Sequence, residues 1–190
     1  MAKKQLGSVY QLKITLKDVK PPIWRRIEIS SDTKLDKSAL IILEAMGWYN
    51  SHLHQFIVGQ TFYSLPDPDG YMETLDERKY TLAQILPAEK SKCFFEYDFG
   101  DGWNHELLVE KIFQPEPKLK YPRCTAGKMA CPPEDCGGVW GYMDMVEILK
   151  DPEHDEHDTY VEWLGLESGE DFDPKEFSVE EVNERLQGKK

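Results

Sequence analysis

The segment from Tyr121 to Tyr142, YPRCTAGKMACPPEDCGGVWGY, constrains the fold of this chain more than any other stretch. It combines three of the four cysteines with a Pro-Pro pair and a Gly-Gly pair, a composition that disfavours regular helix or strand over most of its length. Packing or a bound ion must therefore hold it in shape. Cys124, Cys131 and Cys136 supply three soft ligands, but their spacing is not that of the common zinc-binding motifs. The segment predicts either a metal-stabilised loop or three packed free thiols.

The length and composition indicate one domain without a membrane span. A chain of 190 residues is long enough for a hydrophobic core. No apolar run approaches the roughly 18 residues that a spanning helix needs. The N-terminus, MAKKQLGSVYQLKITL, alternates apolar and polar residues and lacks the apolar region of a signal peptide. We therefore expect a cytoplasmic protein with reduced thiols, whose cysteines bind metal or pack rather than form disulfides.

The formal charge of −12 is concentrated near the C-terminus. Residues 151–190 carry 14 acidic and 4 basic side chains, whereas residues 1–150 carry 21 and 19. Within a single domain over residues 1–190, we expect a core over residues 8–165 and an acidic helical extension over residues 166–190. No basic excess is available to release counterions from phosphates, so the charge argues against a nucleic-acid partner. Other partners and the oligomeric state are left open.

Hydrophobic periodicity predicts an α+β fold, with strands first and helices later. Asp36 and Ser178 are predicted to cap helices, and Gly47 to end the first helix. A loop is expected over residues 65–70. Alternation predicts strands, mostly paired as antiparallel hairpins, over residues 9–16, 23–29, 48–59, 61–64, 93–97 and 103–113. Helical spacing predicts helices over residues 36–46, 81–86, 140–150, 154–163 and 178–188.

Three histidines lie on predicted strands. His52 and His54 are two residues apart, so both rings would leave the same face of a strand, as metal ligation or paired acid–base chemistry requires. An exposed or hydrogen-bonded pair is the alternative. His105 shares a strand face with Trp103 and Leu107, which is typical of a core histidine. On neighbouring strands, the three rings could also converge on one site.

Four carboxylates lie near predicted turns. Asp98 and Asp101 in DFGDG are typical turn formers, because their side chains bond the backbone of a tight reversal. Glu134 and Asp135 follow a Pro-Pro pair and would serve as carboxylates of a site or as favourable charge at the start of the next helix. Beside a histidine, they would support acid–base catalysis by a hydrolase or transferase, which is the enzymatic alternative to a binding domain.

Four motifs, in order along the chain, give it a resemblance to a known family. They are PPIWRRIEI (21–29), HLHQF (52–56), YDFGDGWNHEL (97–107) and C-x6-CPPEDCGG-x2-GY (124–142). Together they resemble the plasmid pRiA4b open-reading-frame-three-like family over residues 8–165. The resemblance implies an α+β, roll-like fold. Because members occur on plasmids and with insertion elements, it also implies, as a further alternative, an accessory role in a mobile genetic element. It implies no established activity, substrate or catalytic residue.

The family pattern narrows the candidate site. It includes Cys124 and Cys131, whereas Cys136 is less characteristic. The pattern therefore favours a transition-metal site, with zinc as the candidate ion, built from these two cysteines and one or two of His52, His54 and His105. Further candidate site residues in the pattern are Asp98, Asp101, Trp103, Glu134 and Asp135. We expect a binding or interaction domain of unknown ligand, with its site where the HLHQF strand, the DFGDGW hairpin and the CPPED loop meet.

Overall fold

The computed structural model describes residues 7–66 and 73–188, which form an eight-stranded sheet with helices packed against it. The predicted α+β class is confirmed. The loop expected over residues 65–70 lies largely outside the described residues. The strands are β1 (Val9–Leu16), β2 (Trp24–Ser30), β3 (His54–Val58), β4 (Thr61–Ser64), β5 (Leu75–Asp76), β6 (Lys92–Tyr97), β7 (Trp103–Phe113) and β8 (Arg123–Lys128). The helices are α1 (Leu35–Met46), α2 (Leu82–Ile85), α3 (Gly138–Ile148), α4 (His157–Leu164) and α5 (Val179–Leu186).

The strand order is β5-β4-β3-β6-β7-β1-β2-β8, and every neighbouring pair is antiparallel except β4 and β5. The predicted hairpins β1–β2, β3–β4 and β6–β7 are confirmed. None of the helices in the described part of the chain is both long and apolar enough to cross a membrane.

One face of the sheet forms the core. On β1, Leu12 and Ile14 are fully buried, as the alternation predicted, and they face the same core as Ile27 and Ile29 of β2. The period of two also places Arg25 on this inner face, where the residue is only 2% exposed. A charged residue in an otherwise apolar row needs buried polar partners. These partners come from outside β2.

Helix α1 begins one residue earlier than predicted. Its N-cap is Lys34, without a side-chain hydrogen bond, so the prediction of Asp36 as the cap was wrong. The cause is tertiary, because Leu35 is fully buried and its N–H bonds the Tyr80 carbonyl oxygen at 3.1 Å. That contact places Asp36 in the first helical turn. The predicted end at Gly47 is confirmed by a φ of 119° there.

The cysteine-rich segment is more regular than its composition suggested. Residues 123–128 form β8, which pairs with β2 at the edge of the sheet, and α3 begins at Gly138 rather than at residue 140. Half of the 22 residues are therefore regular, so irregular structure covers less of the segment than expected. Its Pro-Pro pair and Gly137 lie between these elements, and Gly137 has a φ of 86°. These proline and glycine residues thus separate strand β8 from helix α3.

The acidic C-terminal part packs on the core through α5. Ser178 caps this helix as predicted, because its Oγ accepts a hydrogen bond from the Glu181 N–H at 3.2 Å. Val182 is 1% exposed. Asn183 bonds the backbone of Cys124 twice, since its Oδ1 accepts from the N–H at 2.8 Å and its Nδ2 donates to the carbonyl oxygen at 3.0 Å. The side chain of Asn183 thus substitutes for a neighbouring strand along part of edge strand β8.

Candidate functional site

Three loops meet at one end of strands β3, β6 and β7, and we call this place the three-loop site. The loops are residues 49–53 before β3, residues 98–102 between β6 and β7, and residues 134–137 before α3. The Asp98 N–H donates to the Leu53 carbonyl oxygen at 2.9 Å. The Gly137 N–H donates to Asp101 Oδ2 at 3.2 Å. These bonds hold each loop against its neighbour, as the sequence motifs predicted.

His52, Asp98 and Asp135 form the centre of the three-loop site. The Nδ1 of His52 lies 3.6 Å from Asp98 Oδ2, and its Nε2 lies 3.2 Å from Asp135 Oδ1. One ligand atom from each residue lies within 4.8 Å of the others, and within residues 7–66 and 73–188 no other group of three His, Cys, Asp or Glu side chains does so. The side chain of Asp98 is 12% exposed and that of Asp135 is 69% exposed, so the cluster is open on one side.

The two ring nitrogens of His52 differ in what they contact. Although Nε2 is within ion-pair distance of Asp135, the geometry is not that of a directed hydrogen bond, and this buried atom has no hydrogen-bond partner among the described residues. A short distance alone does not make a hydrogen bond, because hydrogen bonds weaken steeply when they are bent. A buried imidazole nitrogen beside a carboxylate oxygen is an arrangement that a cation between them would complete.

Asp98 and Asp135 are both held in the left-handed region, with φ of 55° and 60°. Asp98 has two tasks. Its Oδ1 accepts hydrogen bonds from the N–H groups of Gly100 and Asp101 at 3.0 and 3.4 Å, as expected of a turn former, and its Oδ2 faces His52. The turn therefore orients the carboxylate that it displays.

Glu134 joins the first and third loops. Its Oε1 accepts a hydrogen bond from the Tyr97 hydroxyl, and its Oε2 accepts one from Ser51 Oγ at 3.3 Å. The Tyr97 hydroxyl in turn accepts a hydrogen bond from the Ser51 N–H at 2.9 Å. Burial, and then the bond to Glu134, raises the pKa of Tyr97 above its ordinary value. The ring centre of Tyr97 lies 5.7 Å from that of His52, so this hydrogen-bond network is next to the histidine.

His54 lies away from the three-loop site. Strand β3 begins at His54 rather than at residue 48, so His52 belongs to the preceding loop and the expected shared strand face does not exist. The His54 Nε2 lies 3.1 Å from an oxygen of Glu77, which is 1% exposed. His54 is therefore committed to a buried contact with Glu77.

His105 and Trp103 belong to the core. Both are fully buried, and the His105 Nδ1 lies 3.2 Å from the Phe95 carbonyl oxygen. Burial lowers the pKa of His105 to about 4, so the ring is neutral near pH 7. Its Nδ1 then donates to the carbonyl, and the ring stands edge-on to Trp48 at 5.2 Å. This is the core histidine that the apolar strand face predicted.

Cys124 and Cys131 lie outside the three-loop site. Cys124 is on β8, where its Sγ donates to the Ala126 carbonyl oxygen at 3.4 Å. Cys131 lies near Gly47, at the C-terminal end of α1. Burial raises the pKa of both thiols, which disfavours the thiolate form that binds metal. The expected set of Cys124, Cys131, His52, His54 and His105 is therefore not assembled within the described residues.

Two members of the three-loop site were absent from the sequence-based set. Tyr97 lies inside YDFGDGW, and its place directly before Asp98 was a usable signal. Ser51 directly precedes His52, but its role depends on the long-range contact with Glu134. The buried partner of His54, Glu77, follows a short strand and carried no sequence signal.

Comparison with known proteins places this chain among related sequences. A family model described as Plasmid pRiA4b ORF-3-like protein matches residues 8–181. The Uncharacterized protein y4hQ of Sinorhizobium fredii is 34% identical over 182 residues, which are 95% of this chain and 92% of that protein. A crystal structure of protein of unknown function MM3350 from Methanosarcina mazei Go1 is similar, with a TM-score of 0.81 and 37% identity over 93% of this chain and 98% of that one.

Proposed function

This chain belongs to the Plasmid pRiA4b ORF-3-like protein family, and we propose that its three-loop site binds a divalent transition metal through His52, Asp98 and Asp135. The single observation that carries the proposal is the convergence of these three ligand types, from three separate loops, within 4.8 Å. The site places two carboxylates close together, and a cation between them would offset their mutual repulsion.

The ligand set indicates which ions fit. One imidazole and two carboxylates suit zinc, manganese or ferrous iron, whereas a soft ion such as copper(I) would prefer thiolates. Zinc therefore stays the first candidate, although its ligands differ from the cysteine-containing set expected from sequence. Two aspartates and a neutral histidine cancel the charge of a divalent ion. Three protein ligands on an open surface also leave coordination positions for water or another molecule.

The turn geometry supports a preorganised site. The carboxylate of Asp98 is held by two backbone N–H groups, and His52 packs against Tyr97. Ligands that are oriented before the ion arrives bind it more tightly, because fewer side chains lose freedom on binding. Glu134 supports the loop that carries Asp135, since it bonds both Tyr97 and Ser51.

Metal content and metal affinity test the proposal. Protein purified without an affinity tag should contain a divalent transition metal, and after chelation it should bind Zn²⁺ or Mn²⁺ at one site in isothermal titration calorimetry. His52→Ala and Asp135→Asn should each weaken that affinity by at least about tenfold, since changes to supporting residues alone typically cost that much. The matched controls are His154→Ala and Asp144→Asn, which change exposed residues outside the site. Equal affinity in the site and control variants would exclude this metal site.

A hydrolytic or transferase reaction is the second candidate function, and the Tyr97–Glu134–Ser51 network beside His52 favours it. A metal with open positions would polarise a carbonyl or phosphoryl oxygen, or lower the pKa of a bound water. His54 and His105 are unsuited to this chemistry, because one is paired with Glu77 and the other is buried. Hydrolysis of generic ester and phosphoester substrates by the metal-loaded protein, lost in His52→Ala, would support it. The accessory role in mobile elements stays a prediction.

A further inference from the structure

A second site is indicated by two arginines that lack acidic partners. Arg25 is 2% exposed, and its guanidinium donates from Nε to the Ala45 carbonyl oxygen at 3.1 Å and from Nη1 to the Trp24 and Lys128 carbonyl oxygens at 3.0 and 3.1 Å. Arg185 of α5 donates from Nε to the Glu44 carbonyl oxygen at 3.2 Å. Neither guanidinium has a carboxylate oxygen within 4.0 Å among the described residues, unlike Arg26 and Arg123.

After these hydrogen bonds to backbone carbonyls, each guanidinium still has N–H groups without a partner among the described residues. The Nη2 of Arg25 makes no hydrogen bond with any described residue. Its guanidinium carbon lies 4.6 Å from the ring centre of Phe177, which stabilises the charge from one side. The Ala45 and Glu44 carbonyls lie at the C-terminal end of α1, where the helix dipole is partly negative, but half a charge does not neutralise two cations. Arg25 is thus a buried charge without a counter-charge, which is rare because it is costly, whereas Arg185 is exposed and keeps its contact with water.

Both arginines line one cavity of about 160 Å³, between the end of α1, residues Ala130 and Cys131, and the start of α5. The Nη2 of Arg185 and the Cβ of Cys131 lie 3.9 and 3.6 Å from the position that a Cβ would occupy at Gly47. A Cβ at Gly47 would thus be in ordinary van der Waals contact with two residues that line the cavity. The cavity is too small for most cofactors but large enough for a single small anion with a water molecule.

We propose that this cavity binds a small tetrahedral oxyanion, such as phosphate or sulfate. The planar fork of an arginine matches two oxygens of such an anion, and two guanidiniums can hold it from both sides. The N-terminus of α5, which opens on the cavity at Ser178, adds a favourable partial charge. Glu176 and Glu181 also line the cavity, but both residues are exposed and neither contacts a guanidinium. An anion within reach of both arginines would compete with these hydrated carboxylates.

Binding would join parts of the molecule that are far apart in sequence. Arg25 lies on β2, Arg185 on α5, and both contact the end of α1. An oxyanion between them would fasten the acidic C-terminal helix to the sheet. The site is formed by residues other than those of the three-loop site, so it can be occupied in metal-free protein.

The test uses the full chain after metal chelation, with inorganic phosphate and sulfate as probes and chloride at the same ionic strength as reference. Because both anions stabilise proteins non-specifically at high concentration, binding is measured at low millimolar concentration by isothermal titration calorimetry and by the NMR shifts of arginine side-chain N–H groups. Saturable binding of one anion per chain is expected. Arg185→Gln and Arg25→Lys should each lower the affinity by about tenfold or more, as for a lost charge-assisted hydrogen bond.

The matched control is Arg78→Gln, an exposed arginine whose guanidinium is paired with Asp76. It should bind phosphate and sulfate as the parent does. If Arg25→Lys fails to fold, the surface change Arg185→Gln decides the question. The proposal is overturned if neither anion binds saturably, or if binding is the same in Arg185→Gln as in the control. Because the protein is metal-free and the probes are anions, neither result bears on metal binding at the three-loop site.

Discussion

The buried imidazole of His105 predicts how the core responds to acid. Burial lowers its pKa from 6.5 to about 4, so between these values the unfolded chain binds a proton at this residue and the folded protein does not. Proton binding therefore stabilises the unfolded state relative to the folded state as the pH falls. Stability from this group is fully present above pH 6.5 and is lost progressively as the pH falls toward 4.

Linkage gives the magnitude of the effect. With these two pKa values, His105 alone should lower the free energy of unfolding by about 2 kcal/mol between pH 7 and pH 5. The substitution His105→Gln keeps an amide donor that can reach the Phe95 carbonyl, but it does not titrate. It should be less stable than the parent at pH 7 because the core is disturbed. Between pH 7 and pH 5 it should lose about 2 kcal/mol less than the parent does.

Urea unfolding followed by circular dichroism at the two pH values measures both differences. His154→Gln is the matched control, because it makes the same substitution at an exposed histidine, and it should keep the pH dependence of the parent. Identical pH dependence in His105→Gln and the parent would refute the reasoning. So would an NMR titration in which the His105 imidazole of the folded protein gains its proton near pH 6.5, at its ordinary pKa.

Three further changes test the packing around the site and the sheet edge. Asn183→Ala removes both hydrogen bonds to β8 and should lower the free energy of unfolding by about 2 kcal/mol in urea denaturation, without a change in m. Gly138→Ala would place a methyl group 2.3 Å from the Asp101 carbonyl oxygen at a φ of 68°. Gly138→Ala should lower the stability clearly more than Gly165→Ala does. A Cβ at Gly165 meets nothing within 4 Å at a φ of 66°, so that change should lower the stability by only about 1–2 kcal/mol, from left-handed backbone strain. Thermal unfolding measures both losses. Tyr97→Phe removes the hydroxyl that joins the first and third loops, and should cost about 1–2 kcal/mol of stability and weaken metal binding at the three-loop site.

The parts of the fold that depend on local pattern were predictable. The hairpin of β6 and β7 follows from alternating side chains and from a turn rich in aspartate and glycine, and β7 has the predicted bounds, Trp103–Phe113. The start of β3 was not predictable in this way. Trp48 alternates well enough to be read as strand, but it is 3% exposed and its Nε1 donates to the Pro132 carbonyl oxygen at 2.9 Å. This long-range contact keeps residues 48–53 out of the sheet and frees His52 to face the two aspartates.

The role of Arg25 depends on contacts that the sequence does not show. Alternation with Ile23 and Ile27 places Arg25 on the core face of β2. Its charge is tolerable there because carbonyl groups of α1 and β8 are within reach. Neither element is near Arg25 in sequence, so no local pattern could show that these acceptors would be present.

The candidate metal site shows why turn residues and ligand residues coincide in this protein. Asp98 and Asp135 both have positive φ, a conformation that aspartate and asparagine tolerate better than most residues. The sequence pattern therefore cannot separate a turn former from a ligand, because the same residue type serves both purposes. Asparagine keeps the backbone preference and the carbonyl acceptor but removes the negative charge. A loss of metal affinity in Asp98→Asn or Asp135→Asn with unchanged stability would thus assign the ligand role apart from the turn, whereas alanine at either position would change both at once.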